Sequence, residues 1–255
     1  MPEDNAARLR EWCTRWGRDQ EPDFSILDPD VVFEDDILPD HAGETYRGHD
    51  GVVRATRTWL QPYERFTIDL EDITGSGDRL VSVHRFRGTA RHTGIEAELR
   101  YAYMWTFEDG KVVHLRSFRD PEEAELRAMA YAAYDALNAR DVDAFLALVA
   151  DDVEFTSLIA EAEGVSFRGR DGVVAWWDTV VASFGDVHWE LLEMSILSGG
   201  RGLIHMRIVG SIAEVPVEQT MWQATQVRDG RVTWWTTLRT ESEALEALRV
   251  IDESG

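Results

Sequence analysis

The chain has 255 residues, 44% hydrophobic and 29% charged, which excludes a disordered or fibrous chain and leaves room for one large domain or two of ordinary size. Its 48 acidic and 26 basic residues give a formal charge of −22. That charge argues against nucleic-acid binding and against docking on an anionic membrane. The single cysteine, Cys13, allows no internal disulfide and no cysteine-based metal cluster. The first residues lack a signal-peptide pattern, and no apolar run approaches the roughly 20 residues that cross a bilayer, so a cytoplasmic protein is expected. Lys111 is the only lysine, so a Schiff-base mechanism would have to use it.

Leu9, Trp12, Cys13 and Trp16 recur at helical spacing and predict an amphipathic helix over about 4–16. A short strand follows at Val31-Val32-Phe33, then a polar loop, then a helix capped by Asp50 and running through Trp59. Phe66, Ile68 and Leu70 alternate with polar residues and predict a strand. Two more strands are predicted over about 79–90 and 97–107. Asp109-Gly110 marks a two-residue hairpin turn into a last strand over about 111–119. Pro121 opens a helix to about 139, predicted to be shared between two halves of the chain.

The pattern then repeats. Arg47-Gly48-His49-Asp50-Gly51-Val52-Val53 returns as Arg168-Gly169-Arg170-Asp171-Gly172-Val173-Val174, and Asp30-Val31-Val32-Phe33 returns as Asp152-Val153-Glu154-Phe155. Asp109-Gly110-Lys111-Val112 returns as Asp229-Gly230-Arg231-Val232. Landmarks in one order at an offset of 120–122 residues mean a tandem duplication, with domains expected at 1–123 and 124–255. The second copy is predicted as helix at about 142–150, strand at 153–157 and helix at 171–183, then four strands between about 186 and 239 and a closing helix through Leu245 and Leu248.

Asp-Pro-Asp-Val-x-Phe at 28–33, the Arg-Gly-x-Asp-Gly-Val-Val motif and Phe107-Glu108-Asp109-Gly110-Lys111-Val112-Val113 resemble the nuclear transport factor 2-like superfamily, in its SnoaL-like polyketide cyclase and ketosteroid isomerase branch. The resemblance covers nearly the whole chain, twice. It implies an α+β fold of two tandem cone-shaped barrels, each a curved, mostly antiparallel sheet wrapped on helices. It also implies that the copies pack as an intramolecular pseudo-dimer, open to further homo-oligomerisation, with a pocket in each copy. These motifs are structural, so chemistry has to be argued from the site.

With Asp109 and Gly110 as turn residues, simple hairpin pairing places Phe107/Val112, Trp105/His114, Tyr103/Arg116 and Tyr101/Phe118 on one face. That face is aromatic with polar tips, as a small-molecule pocket would be. The same pairing in the second copy gives Thr225/Trp234, Gln223/Thr236 and Met221/Leu238, without Tyr, His or Arg. Titratable chemistry is therefore expected in the first pocket. Asp35 lies where the resemblance implies a carboxylate base, and the second copy has Ser157 there. Tyr103 lies where the resemblance implies an oxyanion donor, although the family uses a carboxylic acid at that place. His114 and Arg116 are candidate assistants, and Tyr101, Trp105, His84 and Phe118 candidate pocket residues. No metal-binding spacing and no phosphate-cradling loop stands out, so no cofactor or metal is expected. The resulting expectation is cofactor-independent cyclisation, isomerisation or dehydration of an apolar carbonyl compound. The alternatives are a non-catalytic binder and an assembly module of the same fold.

Overall fold

Leu9 and Cys13, four residues apart, form the buried stripe of helix α1 (Asn5–Asp19). The chain continues through strand β1 (Leu27–Asp35), strand β2 (Glu44–Arg47) and helix α2 (Gly48–Leu60). Four long strands follow: β3 (Tyr63–Ser76), β4 (Arg79–Ala90), β5 (Glu96–Glu108) and β6 (Lys111–Phe118). Helix α3 (Pro121–Ala139) leads into the second copy, which runs α4 (Val142–Leu148), β7 (Val149–Thr156), β8 (Phe167–Arg168) and α5 (Gly169–Trp176). A π-helical turn (Trp177–Val181) comes next, then β9 (Val187–Leu197), β10 (Arg201–Ile212), β11 (Val215–Arg228), β12 (Arg231–Leu238) and α6 (Glu241–Asp252). This computed structural model describes residues 5–19, 23–37, 43–158, 167–181, 186–212 and 215–252.

Contacts divide the chain into two compact units, Met1–Ala128 and Met129–Gly255, with the division inside α3. Each unit holds one six-stranded sheet, in the order β2-β1-β6-β5-β4-β3 and β8-β7-β12-β11-β10-β9. Only β1 with β6, and β7 with β12, run parallel; the other neighbours are antiparallel. Among the described residues both sheets are open, ending at β2 and β3 and at β8 and β9, so neither cone is a closed barrel. The fold is α+β, twice. Among the described residues no helix is long and apolar enough to cross a membrane.

The repeated motif has a backbone cause. Gly48 and Gly169 take φ of +64° and +67° where each chain turns from a short strand into a helix. A Cβ there would also come within 3.0 and 3.1 Å of the carbonyl oxygens of Pro29 and Asp151. Glycine fits both constraints. Asp50 does not cap α2, as the sequence suggested. The helix starts at Gly48, Arg47 occupies the cap without a side-chain bond, and Asp50 sits in the first turn, where its charge complements the helix dipole.

The register of the last hairpin departs from simple pairing. Phe107 faces Val112 as expected, but Thr106 then faces His114. Val113 is an extra residue, a β-bulge, and every later residue of β6 turns to the other face. Tyr103 faces Ser117 and Trp105 faces Leu115. Thr233 makes the same bulge in the second copy, so Thr225 faces Trp235 and Gln223 faces Thr237. A one-residue shift inverts a strand because side chains alternate with a period of two.

Candidate small-molecule site

The first unit contains a cavity of about 200 Å³ between α1, α2 and the sheet. Trp12 and Trp16 from α1, Trp59 from α2, and Phe33, Tyr103 and Trp105 from the sheet form most of its aromatic wall. The two α1 indoles stack at 6.2 Å, and Trp12 meets Trp105 edge-on at 5.5 Å. Helical spacing on α1 and strand alternation on β5 aim these rings at one space. Cys13 also lines it, and burial pushes its thiol up to about 12, so the sulfur stays protonated.

Asp35 is 5% exposed. Its Oδ1 accepts the backbone N–H of Ile37 at 3.0 Å and the Ser117 hydroxyl at 2.8 Å. Ser117 Oγ in turn accepts the N–H of Asp36 at 2.9 Å. One serine thereby fixes both the carboxylate and the backbone that follows it. Asp35 opens on a recess of about 10 Å³, the space of a single water, walled by Phe33, Thr56, Trp59 and Tyr103. Those four residues also line the large cavity, so the recess adjoins it. The Tyr103 phenol is pushed well up by burial, and the Asp35 charge adds to the shift, so it remains a proton donor.

His84 is 3% exposed and lines the cavity beside Tyr103, the rings meeting edge-on at 5.6 Å. Its Nε2 lies 2.8 Å from Ser82 Oγ, which accepts the Trp105 indole N–H at 2.7 Å. Burial pushes the imidazole down to about 4, against a smaller upward pull from Glu71, so the ring is neutral near neutral pH. Tyr101 lies behind the cavity wall, buried against Trp59 and stacked on His84 at 5.4 Å.

His114, Arg116 and Phe118 are corrected by the bulge. All three lie on the sheet face opposite Tyr103 and Trp105. His114 Nε2 is 3.3 Å from Glu34, Arg116 binds Asp36 at 2.9 Å, and the Arg116 guanidinium covers the Phe118 ring at 5.1 Å. Leu115 and Ser117 hold the inward positions that simple pairing gave to His114 and Arg116. No local residue type announces the bulge, so Ser117, which orients Asp35, carries no signal in the sequence. The α1 tryptophans were legible as a helix face, though not as a cavity wall.

The second cavity is smaller, about 80 Å³, and its wall carries Ser157, Gln223 and Thr237 where the first unit has Asp35, Tyr103 and Ser117. Trp235, at the place of Leu115, stacks on Phe155 at 4.0 Å and fills the space from the sheet side. Trp176 adds a second ring against Phe155 at 5.8 Å. Among the described residues no cluster of three His, Cys, Asp or Glu side chains is placed to hold a metal ion.

Fold and cavity together define a small-molecule-binding α+β domain, present twice. A model of the SnoaL-like domain matches residues 9–115 and again 130–235, and the chain belongs to that family as a tandem member. Among solved structures, a nuclear transport factor 2-like protein of unknown function from Burkholderia pseudomallei is 28% identical, covering 49% of this chain and 95% of its own at a TM-score of 0.40. A nuclear transport factor 2-like protein from Burkholderia thailandensis is 25% identical, covering 50% and 98% at 0.41. A protein described as a SnoaL-like polyketide cyclase from Jannaschia is 16% identical, covering 44% and 85% at 0.37. No curated protein matches the chain.

Proposed function

We propose that the first repeat binds an apolar carbonyl compound in its aromatic cavity and moves a proton on it without a cofactor. Asp35 takes a proton from the carbon next to the carbonyl. The C–H electrons move into the carbonyl, and the Tyr103 phenol donates a hydrogen bond to the enolate oxygen that forms. The proton on Asp35 then returns to another carbon, giving isomerisation, or assists ring closure or loss of a hydroxyl. The observation that carries this reading is the buried carboxylate, fixed through Oδ1 by Ser117 and Ile37 and opening on a recess that adjoins the cavity.

The test is deuterium uptake at the α-carbon of 2-tetralone in heavy water, followed by NMR. The protein should accelerate uptake, and Asp35→Asn should remove about 10²–10⁴-fold of that acceleration, the usual size of acid–base catalysis. Binding of the ketone should change by less than about threefold, since a carboxamide keeps the shape and the Ser117 contact. Ketone binding with no acceleration by the unaltered protein would make this a non-catalytic binding domain.

A further inference from the structure

The Nδ1 atom of His84 is buried and has no hydrogen-bond partner among the described residues. The opposite nitrogen is held by Ser82 at 2.8 Å. Trp105 has only a proton to give, and it gives it to Ser82 Oγ at 2.7 Å. Ser82 keeps its own proton to give, and when it gives it to His84 Nε2 the imidazole proton stands on Nδ1. This relay presents a neutral, shielded N–H donor on a side chain of the cavity wall. A buried donor without an acceptor is destabilising, and a ligand oxygen brought to it removes that penalty.

From this arrangement we infer that His84 selects the ligand: a one- or two-ring compound whose carbonyl oxygen accepts from His84 Nδ1. The inference rests on the small-molecule reading of the first cavity and adds its recognition chemistry. Three observations limit the ligand. The cavity volume of about 200 Å³ exceeds the roughly 150 Å³ of an engineered cavity that binds benzene, which sets the scale at one ring or two fused rings. Trp, Phe and Tyr rings are the largest class of side chain in the wall, which suits flat rings. The imidazole is neutral, so what His84 offers is a hydrogen bond and not a charge; the charged side chains of the wall are Asp23 and Arg57.

The experiment compares 2-tetralone with tetralin, the same two rings without the oxygen, by quenching of the cavity tryptophans in the full chain. His84→Phe is measured beside the unaltered protein. Each Kd is combined as the ratio of hydrocarbon to ketone, which cancels the hydrophobic contribution the probes share. We expect His84→Phe to lower that ratio about tenfold, the value of one buried hydrogen bond, while tetralin binding stays within about threefold. A ratio unchanged within about twofold overturns the inference and leaves the cavity reading intact. Failure of both probes to bind overturns both. No accelerated proton exchange by the unaltered protein, with the ketone preference present, overturns the Asp35 chemistry alone. Imidazole nitrogen NMR of the unaltered protein gives the same decision without a variant. The His84 Nδ1–H resonance should move with 2-tetralone and stay in place with tetralin, and a resonance showing the proton on Nε2 overturns the inference.

Discussion

Asp35 sits in a run of three acids, and its neighbours do the opposite of what it does. Strand alternation turns Glu34 and Asp36 toward His114 and Arg116 and turns Asp35 inward to Ser117. His84 is the inward group whose burial has a pH signature. Its ordinary value of 6.5 falls to about 4 in the fold. Between those values the unfolded chain binds a proton that the folded chain does not, so stability is present above pH 6.5 and lost as pH falls toward 4. The loss amounts to at most about 1.4 kcal/mol per pH unit in that window. Denaturant midpoints at pH 7 and 4.5 check it: the drop should be smaller in His84→Phe than in the unaltered protein. Parallel drops in the two proteins would mean that the ring is not held neutral.

At the scale of the element, the bulge at Val113 decides which half of β6 meets the ligand. Two substitutions read the register directly. Leu115 is buried on the cavity side, so Leu115→Asp should cost about 3 kcal/mol or more, or prevent folding, by placing an unpaired charge there. Arg116 is a partly exposed partner of Asp36, so Arg116→Ala should cost about 1 kcal/mol or less in the same urea titration. The unbulged register would reverse the two costs. Much of the element map was legible because its signals are local: the Asp109-Gly110 turn, with φ of +47° and +72°, and the alternation in β3 through β5. Strands β2 and β8 were not read, because a strand of four or two residues carries too few positions to show a period.

At the scale of the whole molecule, duplication has left two unequal cavities on one scaffold. Both copies keep the glycine at the strand-to-helix turn, the hairpin turn and the bulge, and both carry a sheet arginine in ion pairs, Arg85 with Glu71 and Glu98, Arg207 with Glu190 and Glu218. They differ where a ligand would lie. A volume of about 80 Å³ is below the roughly 150 Å³ that admits benzene, so isothermal titration with 2-tetralone should give one site per chain. Two equal sites would contradict this division between the copies. Trp235→Leu places in the second copy the residue type found at Leu115 in the first, and should add a weak second site in the same titration.

The sequence by itself determined the duplication, the α+β class and the main strands and helices. Each depends on residues close together in the chain or on a motif repeated at a fixed offset. Tertiary structure decided which residues meet. An added residue at position 113 inverts the face of all that follow in β6, while the hairpin signal beside it stays the same. A serine 82 positions away along the chain orients the carboxylate, and a hydrogen-bond relay across two strands leaves one nitrogen of His84 unpaired. Those contacts arise from strand register and helix packing, which local patterning does not encode.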